Sequence, residues 1–318
     1  MSWRLLRRSF VASLVWLSTW MPYDTGARAG TAAGRVETGL TIISPILGHE
    51  FQYAIYLPER RANQPLPVLY LLHGRDDTET AWLTNGQIAA TLDRMIGAGT
   101  LPPLAVVMPM AQNSWYVDDA RAPGGFGRFA TALSEDFMPG IERRYQLGGC
   151  RSARAIGGLS MGGYGAMLQA FTHPDMFASA ISLSGSLFSD RTEDIVPRLA
   201  FYSSAMAGIF GEPFDFELFR SWTVFSRLAA AGKDVETLGA WLAAGDGDFA
   251  GILSGTVRLH QELRRRKIES HLRIYDGDHT WPLWTMAIEP ALTWLAPRLA
   301  SCVVEKNSPS AICSIARR

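Results

Sequence analysis

Ile156-Gly157-Gly158-Leu159-Ser160-Met161-Gly162-Gly163-Tyr164-Gly165-Ala166 is the stretch on which the fold of this chain turns. Inside it, Gly158-Leu159-Ser160-Met161-Gly162 fits G-x-S-x-G, with an apolar β-like run before it and a helix-like run after it. A serine on a sharp strand-to-helix turn needs small residues two positions to either side, because side chains there would collide with the adjoining strand and helix. Gly158 and Gly162 meet that need. The pattern alone arises by chance in a Gly-rich chain, so the strand–turn–helix context is what makes it read as a nucleophile elbow.

Outward from the elbow, strand-like and helix-like segments alternate. Apolar runs at 67–72, 104–107, 153–157, 178–183, 238–243 and 271–275 are continuous, the pattern of strands buried on both faces. Two earlier runs, 35–44 and 49–57, flank Pro45 and read as antiparallel strands opening the sheet. Segments 86–98, 128–146, 161–171, 250–267 and 283–300 carry apolar residues three or four apart and read as helices. The alternation predicts an α/β class: a mostly parallel central sheet with helices on both faces, and ligands outside the carboxyl ends of its strands. The longest interruption, about 187–234, is rich in aromatics, among them Phe201, Tyr202, Phe210, Phe214, Phe216, Phe219, Trp222 and Phe225. It reads as a helical cap insertion over the site, or else as an extra packing layer.

A serine is a weak nucleophile unless a base reaches it and a third group orients that base. Of the six histidines, His279 follows the last strand in Tyr275-Asp276-Gly277-Asp278-His279-Thr280-Trp281, where a catalytic base would sit. The acid falls in Gly245-Asp246-Gly247-Asp248, at the end of the preceding strand, with either aspartate able to serve. The chain order Ser160, Asp246 or Asp248, His279 is the order of α/β-hydrolases. An oxyanion formed at Ser160 needs two backbone N–H groups, expected from Met161 and from Arg75, just after His73-Gly74.

The chain has 318 residues, 47% apolar and 19% charged, which suits a globular protein with a large core and excludes a disordered one. Thirty basic residues balance thirty acidic ones, so charge gives no reason to expect nucleic acid. Residues 1–29 read as a signal peptide: Arg4, Arg7 and Arg8 precede an apolar stretch, and Ala27-Arg28-Ala29 offers a cleavage site. That apolar stretch, about a dozen residues, falls short of the ~20 that span a bilayer, so no stable membrane insertion is expected after cleavage. Arg7-Arg8-Ser9-Phe10-Val11 also resembles a twin-arginine signal, with Leu6 where Ser or Thr is usual. The expectation is an exported protein, periplasmic or secreted, with a domain over 30–300 and a tail over 301–318. Cys302 and Cys313 are the candidate disulfide, with three reduced cysteines as the alternative. No CxxC, CxxH or HExxH spacing occurs, so neither a metal nor a cofactor is expected.

Tyr70-Leu71-Leu72-His73-Gly74, Asn113-Ser114-Trp115-Tyr116, the elbow, Gly245-Asp246-Gly247-Asp248 and Asp278-His279-Thr280-Trp281-Pro282-Leu283-Trp284 together resemble the esterase D / putative esterase family of α/β-hydrolases. That family includes S-formylglutathione hydrolases, feruloyl and acetyl xylan esterases and mycolyltransferases. The resemblance covers about residues 35 to 300 and implies an α/β-hydrolase fold. It further implies Ser160 as nucleophile, Asp248 in preference to Asp246 as acid, His279 as base, and the Arg75 and Met161 amides as oxyanion hole. It also puts Trp82, Trp115 and Tyr116 where relatives line their cleft, as candidate substrate-binding residues. The expected activity is hydrolysis of a small-molecule or carbohydrate-linked carboxylic ester through an acyl-serine. The alternatives are acyl transfer to a sugar hydroxyl, as in mycolyltransferases, and a catalytically silent binding protein.

Overall fold

A computed structural model describes residues 33–59, 65–119, 121, 125–206, 208–303 and 312–314. The expected signal peptide and most of the tail lie outside them. Eight strands form one sheet: β1 (Arg35–Ser44), β2 (His49–Leu57), β3 (Val68–Leu72), β4 (Ala105–Pro109), β5 (Arg154–Leu159), β6 (Ser179–Leu183), β7 (Gly239–Gly245) and β8 (Glu269–Tyr275). Their order is β1-β2-β4-β3-β5-β6-β7-β8. β1 pairs antiparallel with β2, and β2 with β4; every later pairing is parallel. All eight strands expected from the sequence are present, in an α/β-hydrolase fold.

The continuous apolar runs are explained by two cores. Because side chains alternate across a strand, Val68, Tyr70 and Leu72 enter one apolar cluster while Leu69 and Leu71 enter the other. Among the described residues the α-helices are, in chain order, α1 (Ala81–Thr84), α2 (Ile88–Gly97), α3 (Phe129–Ala132), α4 (Met138–Tyr145), α5 (Met161–Thr172), α6 (Thr192–Ile195), α7 (Leu199–Ala205), α8 (Phe216–Ser221), α9 (Val224–Ala230), α10 (Ala250–Arg265) and α11 (Trp281–Leu295). Buried residues of α5 and α10 join the first cluster, those of α2 and α11 the second. The helix expected over 128–146 contains a π-helical stretch, Leu133–Phe137, just ahead of Pro139, which has no N–H to donate. α5 is buried on every side, Met161 to Phe171, hence its glycines and alanines where neighbours come close.

After β3 the chain moves to β4 on one side, and β5 lies on the other, so strand order reverses about β3. Such a switch point opens a crevice beyond the carboxyl ends of the strands. The loops that leave β3 and β5 there are the ones holding His73-Gly74-Arg75 and Ser160.

The segment between β6 and β7 contains α6 to α9. Phe188, Tyr202, Phe210, Phe214 and Phe219 pack ring against ring within it. It is fastened to the body by Tyr164, whose hydroxyl donates to Trp222 O at 2.6 Å, and by Trp115, whose indole N–H donates to Ala205 O at 3.3 Å.

The cysteine expectation is corrected. Cys302 is bonded to Cys150, not to Cys313, with Cα atoms 6.1 Å apart. The cause is the return of the chain after α11: Ala300 N–H donates to Ser152 O, which lays the strand Ser301–Val303 beside the turn at Cys150. Among the described residues no helix is long and apolar enough to cross a membrane.

Candidate active site

Ser160 stands between β5 and α5 with φ 51° and ψ −116°. A non-glycine residue holds such a backbone only at a cost of about 1–3 kcal/mol, so the surroundings must impose it. They do: Ser160 N–H donates to Leu183 O at 2.9 Å, and its carbonyl accepts from Tyr164 N–H at 3.0 Å and Ser186 N–H at 3.1 Å. The flanking glycines are needed for space. A Cβ on Gly158 would lie 2.5 Å from the Gly162 carbonyl carbon, and one on Gly162 would lie 2.5 Å from Leu72 O and 2.6 Å from His73 O.

His279 Nε2 lies 2.9 Å from Ser160 Oγ, and its Nδ1 lies 2.7 Å from Asp248 Oδ1. A neutral imidazole bonded this way donates from Nδ1 to the carboxylate and presents Nε2 as acceptor to the hydroxyl. The Asp248 side chain is fully buried, while that of His279 is 19% exposed. Burial pushes the Asp248 carboxyl up, but the hydrogen bonds from His279 Nδ1 and the Gly245 amide hold it below the usual value. Asp246 does other work. Its Oδ1 accepts from Gly277 N–H at 3.1 Å and its own N–H donates to Tyr275 O at 2.8 Å, tying the turn of Asp248 to the turn of His279. Gly247 N–H adds a bond to Gly277 O at 3.0 Å.

The loop after β3 closes the third side. An added Cβ on Gly74 would stand 3.7 Å from Ser160 Cβ, so this loop runs directly past the hydroxyl-bearing residue. Arg75 turns its guanidinium outward to Asp76, at 3.4 Å. Met161 opens α5, and the first N–H groups of a helix have no intrahelical partner and favour an anion.

His73 is buried and holds this loop from within. Its Nδ1–H donates to Gly74 O at 2.7 Å and its Nε2 accepts from Ala111 N–H at 2.9 Å, and the second of these bonds requires the neutral ring. Burial lowers its pKa from the ordinary 6.5 to about 4, against the Gly74 carbonyl, which raises it. The sign follows. Below pH 6.5 the unfolded chain binds a proton that the folded chain refuses, so folding stability falls with pH until about pH 4, by on the order of 3 kcal/mol in all. Urea unfolding at pH 7 and pH 4 should therefore show the wild type losing about that much more stability than His73→Asn; equal losses would contradict it.

The three aromatic residues expected to line the cleft are buried. Trp82 is 1% exposed, Tyr116 0% and Trp115 5%, so none offers a free ring face for stacking. Two of them brace the loop instead. Trp82 Nε1–H donates to Leu72 O at 2.9 Å and Tyr116 Oη–H to His73 O at 3.0 Å, with Gly165 leaving room for the Tyr116 ring. Asn113 completes the brace, exchanging two 2.8 Å hydrogen bonds with Asp76. Two residues given no role in the sequence reading also border His279: the Trp284 ring meets its ring edge-on at 4.9 Å, and Phe249, 68% exposed, lies 5.1 Å from it. Their signal was adjacency, since Phe249 directly follows Asp248.

Known proteins resemble this chain in sequence and in fold. A family model described as putative esterase matches residues 44–295. An acetyl esterase of Caldicellulosiruptor saccharolyticus is 26% identical over 252 residues, 74% of this chain and 85% of that protein. An endo-1,4-beta-xylanase/feruloyl esterase of Xylanibacter ruminicola is 30% identical over 122 residues, 38% of this chain but only 17% of that protein. Among solved structures, a ferulic acid esterase superposes with a TM-score of 0.68 at 27% identity, covering 84% of this chain and 98% of that one.

Proposed function

The chain belongs to the putative esterase family and is a serine esterase, and from that premise we propose that it hydrolyses acetyl or feruloyl esters through an acyl intermediate on Ser160. The observation that carries the proposal is the chain of hydrogen bonds Ser160 Oγ, His279 Nε2, His279 Nδ1, Asp248 Oδ1, at 2.9 and 2.7 Å. As Oγ attacks the ester carbonyl, its proton passes to Nε2, and the carbonyl oxygen takes up the negative charge. The Arg75 and Met161 amides receive that charge; each such donor contributes about 3 kcal/mol to lowering the barrier. Asp248 holds the ring and stabilises the imidazolium without itself taking the proton. Collapse breaks the acyl–oxygen bond, and His279 returns its proton to the departing alkoxide. A water molecule then attacks the acyl-serine by the same route in reverse, releasing the acid and restoring Ser160.

Transfer to a sugar hydroxyl is not favoured, since relatives of this chain are named as esterases. Export through the amino-terminal signal remains part of the proposal, and the Cys150–Cys302 disulfide supports it, because such bonds persist in oxidising compartments. A panel of 4-nitrophenyl acetate, methyl ferulate and an acetylated xylo-oligosaccharide tests the activity. Hydrolysis of an acetyl or feruloyl member with release of free acid is expected; folded protein that releases acid from none of them would refute the reading.

A further inference from the structure

Phe249 carries its ring into solvent, 68% exposed, beside the base of the triad. It follows Asp248 directly and precedes α10. Among the described residues the only other exposed phenylalanine is Phe201, in α7 of the cap. A single exposed apolar side chain is ordinary on a protein surface. What sets this one apart is its neighbour: the ring centroid lies 5.1 Å from that of His279, with the two planes tilted by 45°.

The backbone holds it there. Phe249 N–H donates to Asp248 Oδ1 at 3.2 Å, the same oxygen that receives His279 Nδ1–H. Its carbonyl accepts from Ile252 N–H at 2.8 Å and Leu253 N–H at 3.2 Å, the bonds that start α10. Pinned on both sides, the residue keeps its place in the turn of Asp248, and the ring can swing only about its own side-chain bonds.

That place has a chemical meaning. In acylation the leaving oxygen must come within hydrogen-bond reach of His279 Nε2 to take its proton, so the carbon bonded to that oxygen enters the space beside the imidazole. Among the described residues two aromatic rings border the imidazole, Trp284 at 4.9 Å and Phe249 at 5.1 Å. Trp284 is 6% exposed and has no free face to offer; Phe249 has one. An alcohol with an apolar or aromatic body can lay that body on the Phe249 ring, which takes both surfaces out of water. A methyl group is too small to do so.

We propose that Phe249 determines specificity for the alcohol half of the ester, its ring seating an apolar alcohol such as a benzyl group as that alcohol departs. The inference rests on the esterase reading above and adds which half of the ester the protein selects, and by what contact. In a first measurement, kcat/KM is determined on benzyl acetate and methyl acetate, whose alcohols are of similar acidity, with wild type, Phe249→Ala and Phe249→Tyr. The benzyl-to-methyl ratio should fall about five- to tenfold in Phe249→Ala and return in Phe249→Tyr, which keeps the ring. The ratio of methyl butyrate to methyl acetate, which varies the acyl group instead, should stay at its wild-type value. An unchanged benzyl-to-methyl ratio overturns the proposal, and so does an equal fall on both acetates, which marks the ring as a support for His279 only. A change in the butyrate ratio as large as that in the benzyl ratio, or larger, also overturns it. The second measurement needs no turnover: NMR follows saturation transferred from Ser160→Ala to the ring protons of benzyl alcohol. Transfer that is lost in the Ser160→Ala/Phe249→Ala double variant supports the seat; no transfer, or transfer indifferent to Phe249, overturns it. A wild type inactive on both acetates would sink the esterase reading, and the NMR measurement would still decide the seat.

Discussion

Ser160→Ala will lower kcat on 4-nitrophenyl acetate by at least about 10⁴-fold while leaving the fold intact. The side chain lost is one hydroxyl, and the bonds that shape the elbow are backbone bonds to Leu183, Tyr164 and Ser186, which alanine retains. Without Oγ there is no acyl intermediate. What survives is whatever the oxyanion amides and substrate binding achieve with water as nucleophile, a residue of roughly 10³–10⁴ over the uncatalysed rate in well-studied triads. Circular dichroism and thermal unfolding matching the wild type would show that the loss is chemical. A variant retaining wild-type turnover would remove Ser160 from the mechanism.

Asp248→Asn will cost about 10⁴-fold in kcat, whereas Asp246→Asn, two residues away, will stay within a few-fold of wild type. Both aspartates sit on the same short turn, so the contrast tests hydrogen bonding rather than proximity. Asp248 Oδ1 receives the His279 Nδ1–H at 2.7 Å from a fully buried side chain. An amide there can offer its N–H₂ to Nδ1, which leaves the ring proton on Nε2, facing Ser160, where it cannot accept the hydroxyl proton. Asp246 only receives the Gly277 amide through Oδ1, and an asparagine carbonyl does that equally well. Steady-state kinetics of the two variants side by side decide it. A larger loss in Asp246→Asn would exchange their roles.

How far the sequence could be read divides along a physical line. Strand runs such as 67–72 and 178–183 were legible because burial on both faces demands unbroken apolar sequence, and their alternate residues do enter opposite cores. Ser160, His279 and the 246/248 turn were legible because strand ends in a parallel sheet converge on one edge. Spacing left the two aspartates open and the resemblance preferred Asp248; in the structure the Asp248 carboxylate meets His279 Nδ1 while that of Asp246 receives the Gly277 amide. The directions of Trp82, Trp115 and Tyr116 were equally hidden: a position after a strand end says where a residue lies, not whether its ring turns to solvent or to the back of the loop. Cys302 was misassigned because the shorter loop to Cys313 looked easier to close, while the partner is set by the chain's return past Ser152. His73 was legible as part of the loop after the third strand, but its own hydrogen bonds and depressed pKa became visible only in the folded structure.

Everything in this account depends on the imidazole of His279 activating the hydroxyl of Ser160. The most direct measurement is reaction of the wild type with an alkyl fluorophosphonate, followed by peptide mapping of the adduct, alongside His279→Ala. One equivalent of reagent should abolish esterase activity and appear on Ser160 alone, with labelling slowed by orders of magnitude in His279→Ala. Complete inactivation with the adduct on another residue, or labelling of Ser160 at the same rate without the histidine, would contradict it.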